Sequence, residues 1–227
     1  MNIIWLGHSG FRIQIEGAAL LIDPWLTGNP MFPWDQRAAA IQGATHILLT
    51  HGHSDHTGDA VAIARELGLS IAGIYDLVGH LAAKEGVQVT GFNKGGTIDC
   101  NGAKVTLVNA CHSSSADGVA LGSECGFMIA GEGHVIYMSG DTDIMADMDW
   151  MADYHKPDIG ILSAGGHFTM DMARAAYAVR RYFNFTTVIP CHYRTFPMLA
   201  QNADVLKAGV LPGVNVIEPQ VMEPITL

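Results

Sequence analysis

The rhythm of hydrophobic and polar positions changes near residue 45. Before it, short runs with strand character dominate, at 2–6, 11–16 and 19–22. The second, FRIQIE, alternates apolar and polar side chains, the pattern of a half-buried strand. Glycine-containing breaks between the runs predict a meander. An irregular stretch follows over 24–42, with three prolines and three Trp or Phe side chains. It reads equally as a loop overhanging a site and as a packed surface loop.

Beyond residue 45 strand-like and helix-like segments alternate. HILLT predicts a strand, 57–67 a helix, 70–74 a strand and 76–85 a helix. Further strands are expected at 104–109, 125–130, 135–138, 159–162, 187–189 and 214–217. Further helices are expected near 144–152, 171–182 and 197–207. Hairpins mixed with βα units predict an α/β fold of mixed sheets covered by helices. No linker, low-complexity tract or repeat interrupts residues 1–227, so a single domain is expected. No apolar run approaches the roughly 20 residues of a transmembrane helix, so no membrane insertion is expected.

Seven apolar runs end on a His or Asp. They are NIIWLG-His8, ALLI-Asp23, HILLT-His51, VTLVNAC-His112, HVIYMSG-Asp141, IGILSAGG-His167 and TTVIPC-His192. One such case means little. Ionisable side chains at the same ends of several strands build a shared site, because the loops there converge. The densest is THGHSDHTGD, with three histidines and two aspartates in ten residues. His51 and His53 flank Gly52, and alternate residues of an extended chain face one side, so both imidazoles can address one ion. Asp55 and His56 follow at the turn into the next helix, where they can face a neighbouring ion. His112, Asp141 and His192 supply ligands from a distance. Five histidines and two aspartates exceed one ion's needs. They suit two ions about 3.5–4 Å apart with a carboxylate between them. Nitrogen with carboxylate favours zinc, manganese or iron over calcium. The chemistry expected is hydrolysis by metal-activated water.

Net charge of −10 argues against nucleic acid as partner and leaves a small-molecule substrate. The four cysteines, Cys100, Cys111, Cys125 and Cys191, form no CxxC pair and suit a reducing compartment. The opening MNIIWLGHSG lacks a basic n-region and a long apolar h-region, so no signal peptide is expected. Together these predict a soluble cytoplasmic protein and leave homo-oligomerisation open. His46, His80, His134 and His155 show no comparable setting and read as structural or solvated.

HGHSDH resembles the HxHxDH signature of the metallo-β-lactamase superfamily, with His112, Asp141 in SGDTD and His192 in PCHY following in order. The resemblance spans nearly the whole chain. WLGHSGFRI, LIDPWLTGNP, GGHFTM and PCHYRTFP resemble a branch of small metal-dependent hydrolases. That branch is similar to ascorbate-phosphate lactonases and, more distantly, to the N-acyl-phosphatidylethanolamine phospholipase D type. The resemblance implies an αββα four-layer sandwich with metals at the sheet edge. It implies His51, His53 and His112 on a first metal, and Asp55, His56 and His192 on a second, with Asp141 bridging. Two Zn²⁺ or Mn²⁺ ions, or Fe²⁺, would then act on an ester, lactone, amide or phosphodiester. Flavodiiron relatives carry Glu where this chain has His53, and a flavodoxin domain not found here. RNA-processing relatives carry extra RNA-binding modules, also not found.

Asp55 is a ligand that could also orient the nucleophile or shuttle its proton. His167, after two glycines, is expected either to bind substrate and developing oxyanion or to support a ligand. Asp23 is expected to accept a proton from a ligand imidazole and fix its tautomer. His8 is expected in the pocket, and Tyr193 and Arg194 are candidates to meet an anionic substrate. The competing classes are a mononuclear iron oxidoreductase of sulfur dioxygenase type and a non-catalytic metal-binding protein.

Overall fold

Residues 1–227 are described by a computed structural model. In chain order the strands are β1 (Asn2–Trp5), β2 (Phe11–Ile15), β3 (Ala18–Ile22), β4 (His46–Leu49), β5 (Ile71–Ile74), β6 (Val89–Phe92), β7 (Thr97–Cys100), β8 (Ala103–Asn109), β9 (Ser115–Ala116), β10 (Val119–Ala120), β11 (Cys125–Gly131), β12 (His134–Met138), β13 (Ile159–Ser163), β14 (Thr187–Cys191), β15 (Asn215–Val216) and β16 (Pro224–Thr226). The helices are α1 (Arg37–Ile41), α2 (Ser54–Thr57), α3 (Ala60–Leu67), α4 (Tyr75–Glu85), α5 (Met148–His155), α6 (Met172–Tyr182) and α7 (Asp204–Gly209).

Two seven-stranded mixed sheets form, ordered β16-β1-β2-β3-β4-β5-β6 and β15-β14-β13-β12-β11-β8-β7, and helices flank them. This is the layered α/β sandwich that the sequence implied. Strands β3 and β13 are buried along their whole length, which is why AALLI and IGILS read as continuous apolar runs. The apolar faces of both sheets join one core of 60 buried residues. Helix α6 shows how the outer layer attaches. Met172, Ala175, Ala176 and Val179 recur at helical spacing and are buried, while the Asp171 carboxylate caps the helix by accepting from Arg174 N at 2.7 Å. No helix is long and apolar enough to cross a membrane.

Three predicted helices differ from those observed, and the one expected near 144–152 begins only at Met148 and runs to His155. The one expected over 57–67 is split into α2 and α3 at Gly58 and Asp59. Asp59 there accepts from Leu26 N at 2.6 Å and Thr27 N at 2.8 Å, so its carboxylate holds the 24–42 segment. The helix expected over 197–207 exists only as α7. The segment before it is a turn in which the Gln201 amide donates to the carbonyls of Phe196 and Leu199, at 3.0 and 2.7 Å. Strands β6, β7, β9, β10 and β16 and helix α1 were not foreseen from the pattern.

Candidate metal centre

Strand direction explains why the seven ionisable residues share one end of the molecule. β1 and β3 both run antiparallel to β2, and β3 is parallel to β4. Hence β1, β3 and β4 point the same way, and His8, Asp23 and His51 follow their C-terminal ends. In the second sheet β8 and β12 both run antiparallel to β11, and β12, β13 and β14 are parallel. His112, Asp141, His167 and His192 therefore follow the C-terminal ends of β8, β12, β13 and β14.

The structure brings His51, His53, Asp55, His56, His112, Asp141 and His192 together. Asp141 Oδ2 lies 3.2 Å from His192 Nε2, 3.4 Å from His56 Nε2, 3.6 Å from His112 Nε2 and 4.0 Å from His51 Nε2. Asp55 Oδ2 lies 3.7 Å from both His56 Nε2 and His192 Nε2. His51 Nε2 and His53 Nδ1 are 3.0 Å apart. Candidate ligand atoms gather in overlapping groups: His51 with His53 and His112, His51 with His56 and Asp141, and Asp55 with His56, His192 and His8.

Behind this cluster Asp23 sets two tautomers. It is fully buried and accepts from Thr50 N at 2.8 Å, Thr50 Oγ at 2.6 Å and His56 Nδ1 at 2.8 Å. The proton of His56 therefore sits on Nδ1 and leaves Nε2 bare whenever the ring is neutral. The Thr50 hydroxyl gives its hydrogen to Asp23, so its lone pair accepts from His51 Nδ1 at 3.0 Å. That leaves His51 Nε2 bare as well. Both bare nitrogens face Asp141.

The donor set calls for positive charge. Asp23, Asp55 and Asp141 converge among imidazoles, with no Lys or Arg paired to them. Without a cation, protons on the rings must supply that charge. Burial pushes His192 down, but the Asp141 charge and bonds to Asp141 and Asp55 carry it up to about 9. Burial likewise opposes the charge on His56, and Asp141 and Asp23 raise it well above the ordinary range. Burial alone would raise the Asp141 carboxyl; His192 and His56 hold it well below the usual range. His56 Nε2 and Asp141 Oδ1, both buried, have no hydrogen-bond partner. An unpaired buried polar atom costs about 1–3 kcal/mol. Divalent cations would satisfy these atoms and the carboxylates together, so the residues fit a metal centre.

A cavity of ≈ 550 Å³ opens onto Asp55, His112, Asp141 and His192. His8 is not on its wall. It is buried behind Asp55, with Nε2 3.0 Å from Asp55 Oδ2 and Nδ1 2.8 Å from Thr195 Oγ. His167 is exposed with φ of 56° and stacks edge-on to Phe168 at 4.5 Å; Phe168, not His167, lines the cavity. Tyr193 and Arg194 require correction. The Tyr193 ring is fully buried and stacks on Trp5 at 5.5 Å. Arg194 lies over the same two rings, donates to the Pro219 carbonyl and faces a separate cavity beside Gln220 and Glu223. The chain turns through positive φ at His192 and Arg194, and Tyr193 and Arg194 face away from the centre before Thr195 and Phe196 return to it. Sequence reasoning missed Thr195 and the aromatic wall of Trp25, Phe168 and Phe196. LIDPWLTGNP, GGHFTM and PCHYRTFP contain all three rings, which was the available signal.

Comparison with known proteins agrees with this geometry. Residues 19–193 match the model of the β-lactamase superfamily domain. A "UPF0173 metal-dependent hydrolase" of Paracoccus denitrificans is 70% identical over the full length of both chains. The solved structure of Igni18, a metallo hydrolase of Ignicoccus hospitalis, is similar at TM-score 0.86 and 30% identity, covering 99% of this chain and 97% of that one. The isothiocyanate hydrolase from Delia radicum gut bacteria shares the fold at TM-score 0.81 and 19% identity, covering 100% of this chain and 99% of that one. With its sheet-end cluster of imidazoles and carboxylates, the chain belongs to the metallo-β-lactamase superfamily as one of its metal-dependent hydrolases.

Proposed function

We propose that the chain hydrolyses an ester, lactone, amide or phosphodiester of a small molecule at a dinuclear centre. His51, His53 and His112 would hold one ion, Asp55, His56 and His192 the other, and Asp141 would stand between them. Zinc, manganese or iron bound there would acidify water toward neutrality and polarise the scissile bond. The observation that carries this reading is the reach of a single oxygen. Asp141 Oδ2 lies within 4.0 Å of ring nitrogens from four histidines on both sheets.

The chain's own residues divide the remaining work. Asp55 is partly open to the cavity, where its carboxylate can orient attacking water and take up its proton. Bonds from His192 and His8 overcome the opposing effect of burial and keep that carboxylate ionised. An ionised Asp55 can only accept, so His8 Nε2–H donates to it, and Thr195 Oγ–H donates to His8 Nδ1. His8 is thus a positioning residue for Asp55. His167, packed on a wall residue of the cavity, would meet substrate at the rim. Four unpaired cysteines suit a reducing cytoplasm.

Metal analysis and turnover of Asp141→Ala test the reading. Bound metal and hydrolysis should fall together. Wild-type metal content and turnover in that variant would refute the bridging role.

A further inference from the structure

The cavity over the centre has an unusual composition for a site that must hold its substrate's remote parts. Apart from the candidate ligands, its wall consists of three aromatic rings, Trp25, Phe168 and Phe196, and the hydroxyl-bearing Ser54 and Ser113. No Lys or Arg lines it. A second charge on the substrate would therefore find no partner away from the centre, whereas an apolar group would find ring faces on which to leave water.

Two of the rings are fixed in place. Trp25 and Phe196 lie 6.2 Å apart at 31°, and both pack against His8, at 5.3 and 5.8 Å. Gly58 leaves room for the indole, since a Cβ there would stand 2.8 Å from Trp25 Cδ1. Asn29 Nδ2 donates to the Trp25 carbonyl at 3.1 Å. Phe168 sits 6.3 Å from the His192 ring and is 52% exposed, so its face is open to an incoming group. The neighbouring groove of ≈ 740 Å³ does have Arg65 and Lys84 on its wall, but these are paired with Glu85 and Asp117. Their charges are already offset by these carboxylates.

We infer that the substrate is an uncharged ester or amide bearing an aromatic-sized apolar group, held by Trp25, Phe168 and Phe196 while its scissile bond faces the centre. This rests on the hydrolase reading above and narrows it, setting aside substrates that carry a second charge away from the scissile bond.

The test uses the metal-loaded protein in two arms. Calorimetry compares phenylacetate with acetate, which present the same carboxylate to the centre and differ by a ring. Hydrolysis compares methyl phenylacetate, methyl acetate and the monomethyl ester of succinate, which carries a charge where the first has its ring. Burying a phenyl group should favour phenylacetate over acetate roughly 10- to 100-fold, and methyl phenylacetate over both other esters by a similar factor in kcat/KM. Phe168→Ala, at an exposed position that leaves the core untouched, should shrink both ratios several-fold with metal content unchanged. Trp25→Ala provides an independent second variant. Equal binding of acetate and phenylacetate, or preference for the succinate ester, overturns the inference whatever the turnover. A phenylacetate margin with no ester hydrolysed would uphold the cavity assignment and sink ester hydrolysis as the reaction instead.

Discussion

Replacing Asp23 by Asn changes one atom of a buried side chain and should disarm two candidate metal ligands at once. The isosteric amide can keep the bond from Thr50 N through its oxygen. Its NH₂ would then occupy the Oδ2 position, which now accepts from Thr50 Oγ at 2.6 Å and His56 Nδ1 at 2.8 Å. Facing a donor, His56 Nδ1 must become an acceptor, which moves the ring proton to Nε2. Thr50 must likewise accept from the amide and direct its hydrogen to His51 Nδ1, 3.0 Å away. The His51 proton then moves to Nε2 too. Both nitrogens that face Asp141 would carry hydrogen where a cation needs a lone pair. Loss of one supporting partner of a metal-ligating His typically costs 10- to 100-fold in metal affinity. With two ligands affected, a loss of about 100-fold or more is expected, about 3 kcal/mol. Competition of zinc against a chromogenic chelator at pH 7 measures it, with circular dichroism reporting the fold. Wild-type zinc affinity in folded Asp23→Asn would refute the relay, because its geometry allows no other donor arrangement.

Metal-free protein should lose stability as pH rises from 6.5 to about 9. The His192 pKa is raised, so its contribution is complete below 6.5 and disappears as pH climbs through 9, about 3 kcal/mol in all. Urea denaturation in chelator across that range checks it, and a flat or rising profile would contradict the pairing with Asp141. His8→Ala should leave metal content unchanged yet lower kcat roughly 10- to 100-fold, because Asp55 loses the donor that aims it; metal analysis beside turnover separates this from ligand loss. Arg194→Ala should leave KM unchanged for any ester that the protein hydrolyses, since the guanidinium faces another cavity; a several-fold rise in KM would restore it to the substrate site.

Residues at strand ends were legible because two simple periodicities reveal them. The HGHSDH turn is local, so its spacing alone suggested a shared ion. His112, Asp141 and His192 could be read because each closes an apolar run, and parallel strands carry such ends to one edge. Direction after the strand was not legible. Tyr193 and Arg194 adjoin a ligand, yet positive φ at His192 and Arg194 sends them elsewhere, and no pattern of side-chain polarity encodes that. The same limit applies to Gly165, where an added Cβ would run into the carbonyl of His192. Strands β9, β10 and β16 are two or three residues long, too short for alternation to register. The wall of Trp25, Phe168 and Phe196 comes from three separate loops, and only the topology brings them together.

The candidate ligands are shared out between the two sheets, with the 51–56 turn following one and His112, Asp141 and His192 following the other. Each group of candidate ligand atoms draws on both halves of the polypeptide. A captured cation is therefore a rivet through the seam, and how tightly it is gripped gauges how well the first ninety or so residues have docked onto the rest. Substitutions deep in the seam, far from any imidazole, become visible at the metal before they become visible in the helices.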